Sequence, residues 1–153
     1  MNLFLDTNAL VKLYHIETGS DNLLKFIEKN SNWLIVTITD LSQIEFYSTF
    51  MRRVRMGDIS KEKARKIFNY FNDDLIQFNL IEIDKTIKNF AIELLSFTAA
   101  NQSLRTLDAL QLASAIVANR IISVDYFISS DYKLNNIVKS YFKIFNPEKQ
   151  SIN

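Results

Sequence analysis

Cysteine is absent from this sequence, and glycine, histidine and proline are scarce. The lack of cysteine excludes disulfides, thiolate metal ligands and a cysteine nucleophile. With only two glycines, Gly19 and Gly57, the chain cannot form a P-loop or a glycine-rich dinucleotide loop. With a single histidine, His15, it cannot pair two histidines as acid and base, and we expect His15 to be structural or solvated. Any catalysis must therefore use carboxylates, hydroxyls or a metal ion.

Long apolar runs and a strong net charge are also missing. No apolar run approaches the roughly 18 residues that a membrane span needs, and no basic segment precedes a long apolar one at the N-terminus. A net charge of +1 provides no global attraction to nucleic acid, so a polyanion would have to be bound by a local patch. We expect a soluble, cytoplasmic protein with no membrane contact. Its 153 residues, 48% of them hydrophobic, fit one domain with a substantial core.

Short apolar runs alternate along the chain with longer segments of helical periodicity. Strands are predicted at residues 3–5, 33–38, 80–83, 126–129 and 142–145, and the second of these is expected to be buried on both faces. Helices are predicted at about residues 9–14, 23–29, 40–55, 60–71, 84–97, 107–118 and 131–138, with a turn at 30–32. This alternation indicates an α/β fold, a three-layer α/β/α sandwich with a mainly parallel sheet of about five strands.

Within the third predicted helix, Leu41, Ile44, Tyr47 and Met51 are expected to lie on one face. Aromatic residues at helical spacing, such as Tyr47, Phe50, Phe68 and Phe71, are expected in the core.

The first apolar run stops abruptly on a carboxylate, at Asp6. In a parallel α/β sheet, ligands bind in the crevice beyond the carboxyl ends of the strands, so Asp6 lies where a site is expected. On this stretch alone the simpler alternative is that Asp6 caps the next helix. Other carboxylates at the same edge of the sheet would favour a site.

Three further acids meet that condition. Asp131 follows a predicted strand, in the same position as Asp6, whereas Glu45 and Asp108 lie in apolar helical segments. Taken singly, Glu45 could be a partly solvated helix residue, Asp108 a partner of the helix dipole and Asp131 a cap. Together they can meet at one edge, where mutual repulsion would be unfavourable unless a cation offsets it. Oxygen ligands without histidine or cysteine select a hard cation, Mg²⁺ or Mn²⁺.

The segments around these acids, taken in order, resemble those of PIN-domain nucleases. They are Leu5-Asp6-Thr7-Asn8-Ala9-Leu10, Ser42-x-Ile44-Glu45-Phe46, Leu107-Asp108-Ala109-Leu110-Gln111-Leu112-Ala113 and Ile128-Ser129-Ser130-Asp131. Their order, spacing and flanks look most like those of the VapC-type toxins of toxin–antitoxin pairs. Ser129 stands where the family more often has threonine, which keeps the hydroxyl. The resemblance covers a single PIN-like domain at residues 1–147, followed by a short tail at 148–153.

The resemblance implies a metal-dependent endoribonuclease, held inactive by a small antitoxin protein and forming a homodimer. It also implies that the strand of Asp6 is central in the sheet, with the strand of Asp131 beside it. We expect Asp6, Glu45, Asp108 and Asp131 to be the catalytic residues and to hold one or two Mg²⁺ or Mn²⁺ ions, some through water. Thr7, Asn8 and Ser129 would contact the scissile phosphate or the carboxylates.

Positive charge near the acids would be needed to bind RNA. A basic cluster lies between residues 52 and 66, and Arg52 shares a helix face with Glu45 because it follows by seven residues. The cluster is either a track for the RNA backbone, or a solvated face or docking surface for an acidic partner. Arg105, just ahead of the Asp108 helix, is a further phosphate-contact candidate. The cluster comprises Arg52, Arg53, Arg55, Lys61, Lys63, Arg65 and Lys66.

Rival readings remain open on the sequence alone. One is a small metal-dependent phosphohydrolase, although the position two residues after Asp6, where that class has a second aspartate, is Asn8. A phospho-acceptor receiver domain lacks its usual acidic pair here. A non-catalytic PIN-fold interaction module is hard to reconcile with four intact acids.

Overall fold

The computed structural model of this chain describes residues 1–30 and 33–150. Within them the chain forms five strands and seven helices. The strands are β1 (Asn2–Leu5), β2 (Ile35–Thr39), β3 (Asn79–Ile81), β4 (Tyr126–Ile128) and β5 (Ile144–Phe145). The helices are α1 (Thr7–Tyr14), α2 (Ser20–Lys29), α3 (Asp40–Met56), α4 (Lys61–Leu75), α5 (Lys85–Thr98), α6 (Thr106–Ile121) and α7 (Tyr132–Val138).

All five strands pair in parallel, in the order β3-β2-β1-β4-β5. Strand β1 is central, as the resemblance implied, and pairs with β2 through Leu3 and Val36 and with β4 through Phe4 and Phe127. Because the strands are parallel, the residues that follow β1 and β4 emerge at the same edge. This topology confirms the predicted α/β class and places Asp6 and Asp131 on neighbouring strand ends.

The side chains of β1 alternate between two cores. Leu3 and Leu5 pack with the aromatic side chains of α3 and α4, including Phe46, Phe50 and Phe71. Phe4 points the other way, into a core built from α5, α6 and α7, and stacks on Phe127. Because both faces of β1 are covered, its apolar run has no polar alternation, and three layers result.

Strand β2 begins two residues later than predicted. Trp33 lies outside it, with a left-handed φ of 67° and a side chain that is 91% exposed, and Ile35 is also exposed. The expectation of a strand buried on both faces is therefore wrong at its start and correct only for its end, because β2 enters the covered part of the sheet at Thr37. The predicted turn at residues 30–32 falls partly on Ser31 and Asn32, which lie outside the described residues.

The apolar face predicted for α3 is not the face that the structure buries. Ile44 is 70% exposed and Met51 is exposed, whereas Ser42, Phe46 and Phe50 are buried. The buried face is rotated because the aromatic rings of α3 stack on those of α4, with Phe46 on Phe71 and Tyr47 on Phe68. The four aromatic residues expected in the core are confirmed there, Phe50 and Phe71 fully and Tyr47 and Phe68 at its margin.

Several helix starts agree with the capping residues of the sequence. The hydroxyl of Ser60 accepts a hydrogen bond from the backbone of Lys63, and Asp84 does the same for Ile87. Strands β3 and β5 are each shorter than predicted. Among the described helices, none has the length and apolar character to cross a membrane.

Candidate active site

One pocket opens at the carboxyl ends of β1 and β4, with a volume of about 510 Å³. All four acids predicted from the sequence lie in its wall, together with Arg52 and Arg105. The remaining lining residues are Thr7, Asn8, Val11, Glu17, Thr49 and Arg53. The structure thus brings together the acids of four separate chain segments.

Asp6 caps α1 and faces the pocket at the same time. Its carboxylate accepts hydrogen bonds from the backbone of Thr7 at 2.7 Å, the amide of Asn8 and the hydroxyl of Ser129 at 2.8 Å. It is almost entirely buried. The two alternatives left open for Asp6 are therefore compatible, since one carboxylate oxygen caps the helix while the other is held by side chains.

Asp131 and Asp108 both lie at helix N-termini. Asp131 caps α7 by accepting hydrogen bonds from the backbone of Lys133 at 2.7 Å and of Leu134 at 3.0 Å. Asp108 lies in the first turn of α6, as expected for a carboxylate beside a helix dipole. Helix dipoles thus stabilise the negative charges that the pocket collects.

Glu45 is held by a buried polar network rather than by solvent. Its Oε2 accepts a 2.5 Å hydrogen bond from the hydroxyl of Thr7 and a longer one, 3.4 Å, from the amide of Gln111. The Gln111 amide also donates to Thr7 at 3.3 Å and to Ser42 at 3.0 Å. Since Gln111 is only 2% exposed, this network orients Glu45 from inside the protein.

Two acids of the pocket, Asp6 and Asp108, have raised pKa values. Burial is the largest cause that raises the pKa of Asp6, the hydrogen bonds from Ser129 and Thr7 lower it, and the charges of Glu45 and Asp108 raise it, with a net pKa of about 7. The pKa of Asp108 is also raised, first by burial and then by Asp131 and Glu45. Burial, rather than the mutual repulsion considered from the sequence, is the largest cause in both cases.

The donor set fits a hard cation in its chemistry, since every acid of the pocket offers oxygen and the described residues contain no thiolate. Within residues 1–30 and 33–150, however, no three acidic or histidine side chains are arranged so that they could hold a metal ion directly. Glu45 is turned toward Thr7 and Gln111, and Asp131 toward the backbone of α7. The four carboxylates therefore share one pocket, but no three of them are close enough together to bind one metal ion directly.

The polar neighbours of Asp6 are placed to orient carboxylates. Ser129 is fully buried and is absent from the pocket lining, and its hydroxyl binds Asp6, Asn8 and the backbone of Asp131. Thr7 and Asn8 both line the pocket; the Thr7 hydroxyl donates to Glu45, and Asn8 accepts a hydrogen bond from the backbone of Ser130 through Oδ1. Of the two roles considered for these residues, the geometry favours contact with the carboxylates for Thr7 and Ser129.

Only part of the basic cluster reaches the pocket. Arg52 and Arg53 line it, and Arg53 is ion-paired with Glu17, while Lys66 pairs with Glu62 on the surface. The rest of the cluster, Arg55, Lys61, Lys63 and Arg65, lies outside the lining. Arg105 lies in the lining as expected.

Three residues of the site were not singled out by sequence reasoning. Thr49 follows Glu45 by four residues, so helical spacing could have found it. Gln111 belongs to the segment around Asp108 that resembles PIN-domain nucleases, but only the fold shows that it reaches Glu45 from another helix. No sequence pattern marks Glu17 as a site residue, because its ion pairs with Lys12 and Arg53 form only in the folded chain.

Comparison with known proteins places these features in context. Residues 3–139 match the PIN domain family. Ribonuclease VapC35 of Mycobacterium tuberculosis is 25% identical over 138 residues, which cover 90% of each chain. The fold is similar to that of FitAcB from Neisseria gonorrhoeae (TM-score 0.71, 13% identity, 97% of this chain and 99% of that chain). It is also similar to that of a toxin–antitoxin complex from Klebsiella pneumoniae (TM-score 0.61, 16% identity, 98% and 99%).

Proposed function

Since this chain belongs to the PIN domain family, we propose that it is a metal-dependent endoribonuclease, the toxin of a toxin–antitoxin module. The observation that carries this proposal is the single pocket in which Asp6, Glu45, Asp108 and Asp131 meet beside Arg52 and Arg105. Carboxylates flanked by arginines suit hydrolysis of a phosphodiester, because the arginines neutralise the phosphate that the acids would otherwise repel. A ribonuclease among the relatives supports RNA as the substrate.

The four acids would hold Mg²⁺ or Mn²⁺, some of them through water, which suits their spacing. A divalent cation bound there would supply the charge that lowers the pKa of an attacking water and offsets charge developing on the phosphate. Asp6 is kept in place by Thr7, Asn8 and Ser129, and Glu45 by Thr7 and Gln111, so neither must reorganise from solvent. Arg52 and Arg105 would position the phosphate.

The proposed partners follow from the proposed role as the toxin of a toxin–antitoxin module. A small antitoxin protein would keep the enzyme inactive, and the toxin–antitoxin complex among the structures of similar fold supports this. We also propose a homodimer acting in the cytoplasm.

The test is cleavage of total cellular RNA with Mn²⁺, with Mg²⁺ and with chelator. Asp108→Asn keeps the shape of the side chain and removes its charge, so we expect cleavage to be abolished. Glu93→Gln is the matched control, because Glu93 is an exposed acid on α5, outside the pocket, and it should cleave like wild type. A generic phosphate ester is assayed in parallel. Hydrolysis of the ester without RNA cleavage, or cleavage by Asp108→Asn at the wild-type rate, would contradict the proposal.

A further inference from the structure

A second groove, of about 430 Å³, lies between α7 and the residues just before α6. It contains no acidic residue. Its lining residues are Gln102, Ser103, Lys133, Asn136, Lys139 and Ser140. A groove with ammonium and amide groups and no carboxylate is suited to a polyanion.

Two lining residues of this groove are close in the chain to lining residues of the pocket. Arg105 and Asp131 line the pocket, and Ser103 and Lys133, two residues away along the chain in each case, line the groove. An extended ligand would therefore need to reach only a short distance beyond Arg105 and Asp131 to contact the groove.

The positive charges of the groove are not neutralised by acids. Within residues 1–30 and 33–150, neither Lys133 nor Lys139 has a carboxylate within salt-bridge distance, in contrast to Arg53 and Lys66. The ammonium of Lys139 donates only to the side chain of Asn136, at 3.3 Å. Both lysines are exposed, so they are available to phosphates.

An exposed aromatic residue lies in the chain between a residue that lines the pocket and one that lines the groove. Tyr132 directly follows Asp131 and is 61% exposed, and the ammonium of Lys149 lies 4.5 Å from the centre of its ring. Aromatic rings interleaved with basic groups are typical of surfaces that bind single-stranded nucleic acid.

We propose that this groove binds the single-stranded RNA next to the scissile bond, with one base stacked on Tyr132 and phosphates bound by Lys133 and Lys139. The inference rests on the proposed ribonuclease function. It requires an unpaired substrate at this point, because only an unstacked base can lie on a side-chain ring. An acidic protein would also meet the two lysines, but the ring beside Asp131 and the short chain separation between the lining residues of the groove and those of the pocket favour RNA. The basic cluster at residues 52–66 is then not the main RNA track.

The experiment measures binding of a fluorescent single-stranded oligoribonucleotide of about 12 nucleotides. All variants carry Asp108→Asn, with Mn²⁺ present, so that the RNA stays intact. We expect Tyr132→Ala to raise Kd at least about five-fold, and Tyr132→Phe, which keeps the ring, to stay close to the parent. Lys133→Ala and Lys139→Ala should weaken binding and each reduce the salt slope by about 0.7. Lys88→Ala, an exposed lysine on α5, is the matched control and should leave Kd unchanged.

The outcomes separate this proposal from the function on which it rests. If the protein with Asp108 intact cleaves RNA but the Tyr132 and lysine variants bind like the parent, the groove proposal is overturned and the ribonuclease stands. If no RNA is cleaved, both fail. Equal binding of a duplex of the same sequence, with no effect of Tyr132→Ala, would overturn the single-strand assignment. Unchanged RNA affinity with lost binding of a polyglutamate probe would assign the groove to an acidic protein instead.

Discussion

Gln111 shows how a single buried amide can connect polar groups of two other chain segments. It donates to Thr7, Ser42 and Glu45, and its carbonyl oxygen accepts from Thr39 at 3.4 Å. A buried polar group left without a partner costs about 1–3 kcal/mol. Without Gln111, Thr7 stays bonded to Glu45 and Thr39 to Ser42, so the loss of Gln111 removes part of their hydrogen bonding. Its role is to position Glu45, since it does not line the pocket.

We therefore predict that Gln111→Leu lowers the free energy of unfolding by about 1–3 kcal/mol and reduces RNA cleavage. Urea denaturation and a cleavage assay on the same preparation measure both effects. Ser114→Ala is the matched control on the same helix, because the buried Ser114 hydroxyl has no hydrogen-bond partner among the described residues. That substitution should be neutral or slightly stabilising. Equal stability of Gln111→Leu and wild type would show that the network is dispensable.

The loop between α1 and α2 is tied to the end of the chain through its backbone. Gly19 has a φ of 88°, and a Cβ atom built on it would lie 2.9 Å from the carbonyl carbon and oxygen of Pro147. The amide of Asn22 donates to Pro147, and the buried ammonium of Lys12 binds both Glu17 and Glu148. The segment that follows β5 therefore packs against α1 and α2, and the predicted domain boundary at residue 147 stays a prediction.

A comparison of Gly19 with Gly57 separates the effect of this packing on stability from the effect of backbone strain. Gly57 ends α3 with a φ of 82°, close to that of Gly19, but nothing lies within 4 Å of a Cβ placed there. We predict that Gly19→Ala lowers the melting temperature clearly more than Gly57→Ala, because only Gly19→Ala adds a backbone clash to the shared strain of a left-handed residue. Thermal melts followed by circular dichroism give the comparison. An equal decrease of the melting temperature in the two variants would mean that Gly19 and Pro147 are not in close contact in solution.

The net charge of the whole chain is only +1, but acidic residues are concentrated in one pocket. The pKa of Asp6 is raised to about 7, so the folded protein without metal binds a proton that the unfolded chain releases near pH 4. The resulting stability is fully present below the ordinary pKa of aspartate and is lost as the pH rises through about 7. The raised pKa of Asp108 acts in the same direction, whereas the lowered pKa of His15 acts in the opposite direction as the pH falls.

We predict that the metal-free protein becomes less stable from pH 5 to pH 8, by up to about 1.4 kcal/mol per pH unit for Asp6. Asp6→Asn should flatten this dependence, and the contribution of His15, present in both proteins, cancels in the comparison. Adding Mn²⁺ at pH 8 should restore the stability of wild type and not that of Asp6→Asn, since a cation binds the ionised carboxylates. Urea denaturation at each pH provides the measurement. An identical pH profile for both proteins would show that Asp6 titrates normally.

The local patterns of the sequence were sufficient to predict the architecture of the domain. The run Leu3-Phe4-Leu5 predicts a central buried strand because it has no polar alternation, and Ser60 and Asp84 mark helix starts because each caps a backbone N–H within three residues. The positions of Asp6 and Asp131 beyond their strands likewise followed from the order of residues, since parallel strands end at one edge. These signals are local, so the sequence carries them directly.

Contacts between distant segments could be decided only by packing. The buried face of α3 is set by the rings of α4, so Phe46 rather than Ile44 is buried, although both are apolar. Gln111 reaches Glu45 from 66 residues away, and Glu17 reaches Arg53 from 36. The spacing of the acids and the size of the pKa shift of Asp6 depend on how deeply packing buries each carboxylate, and burial is a property of the folded chain that no short stretch of sequence contains.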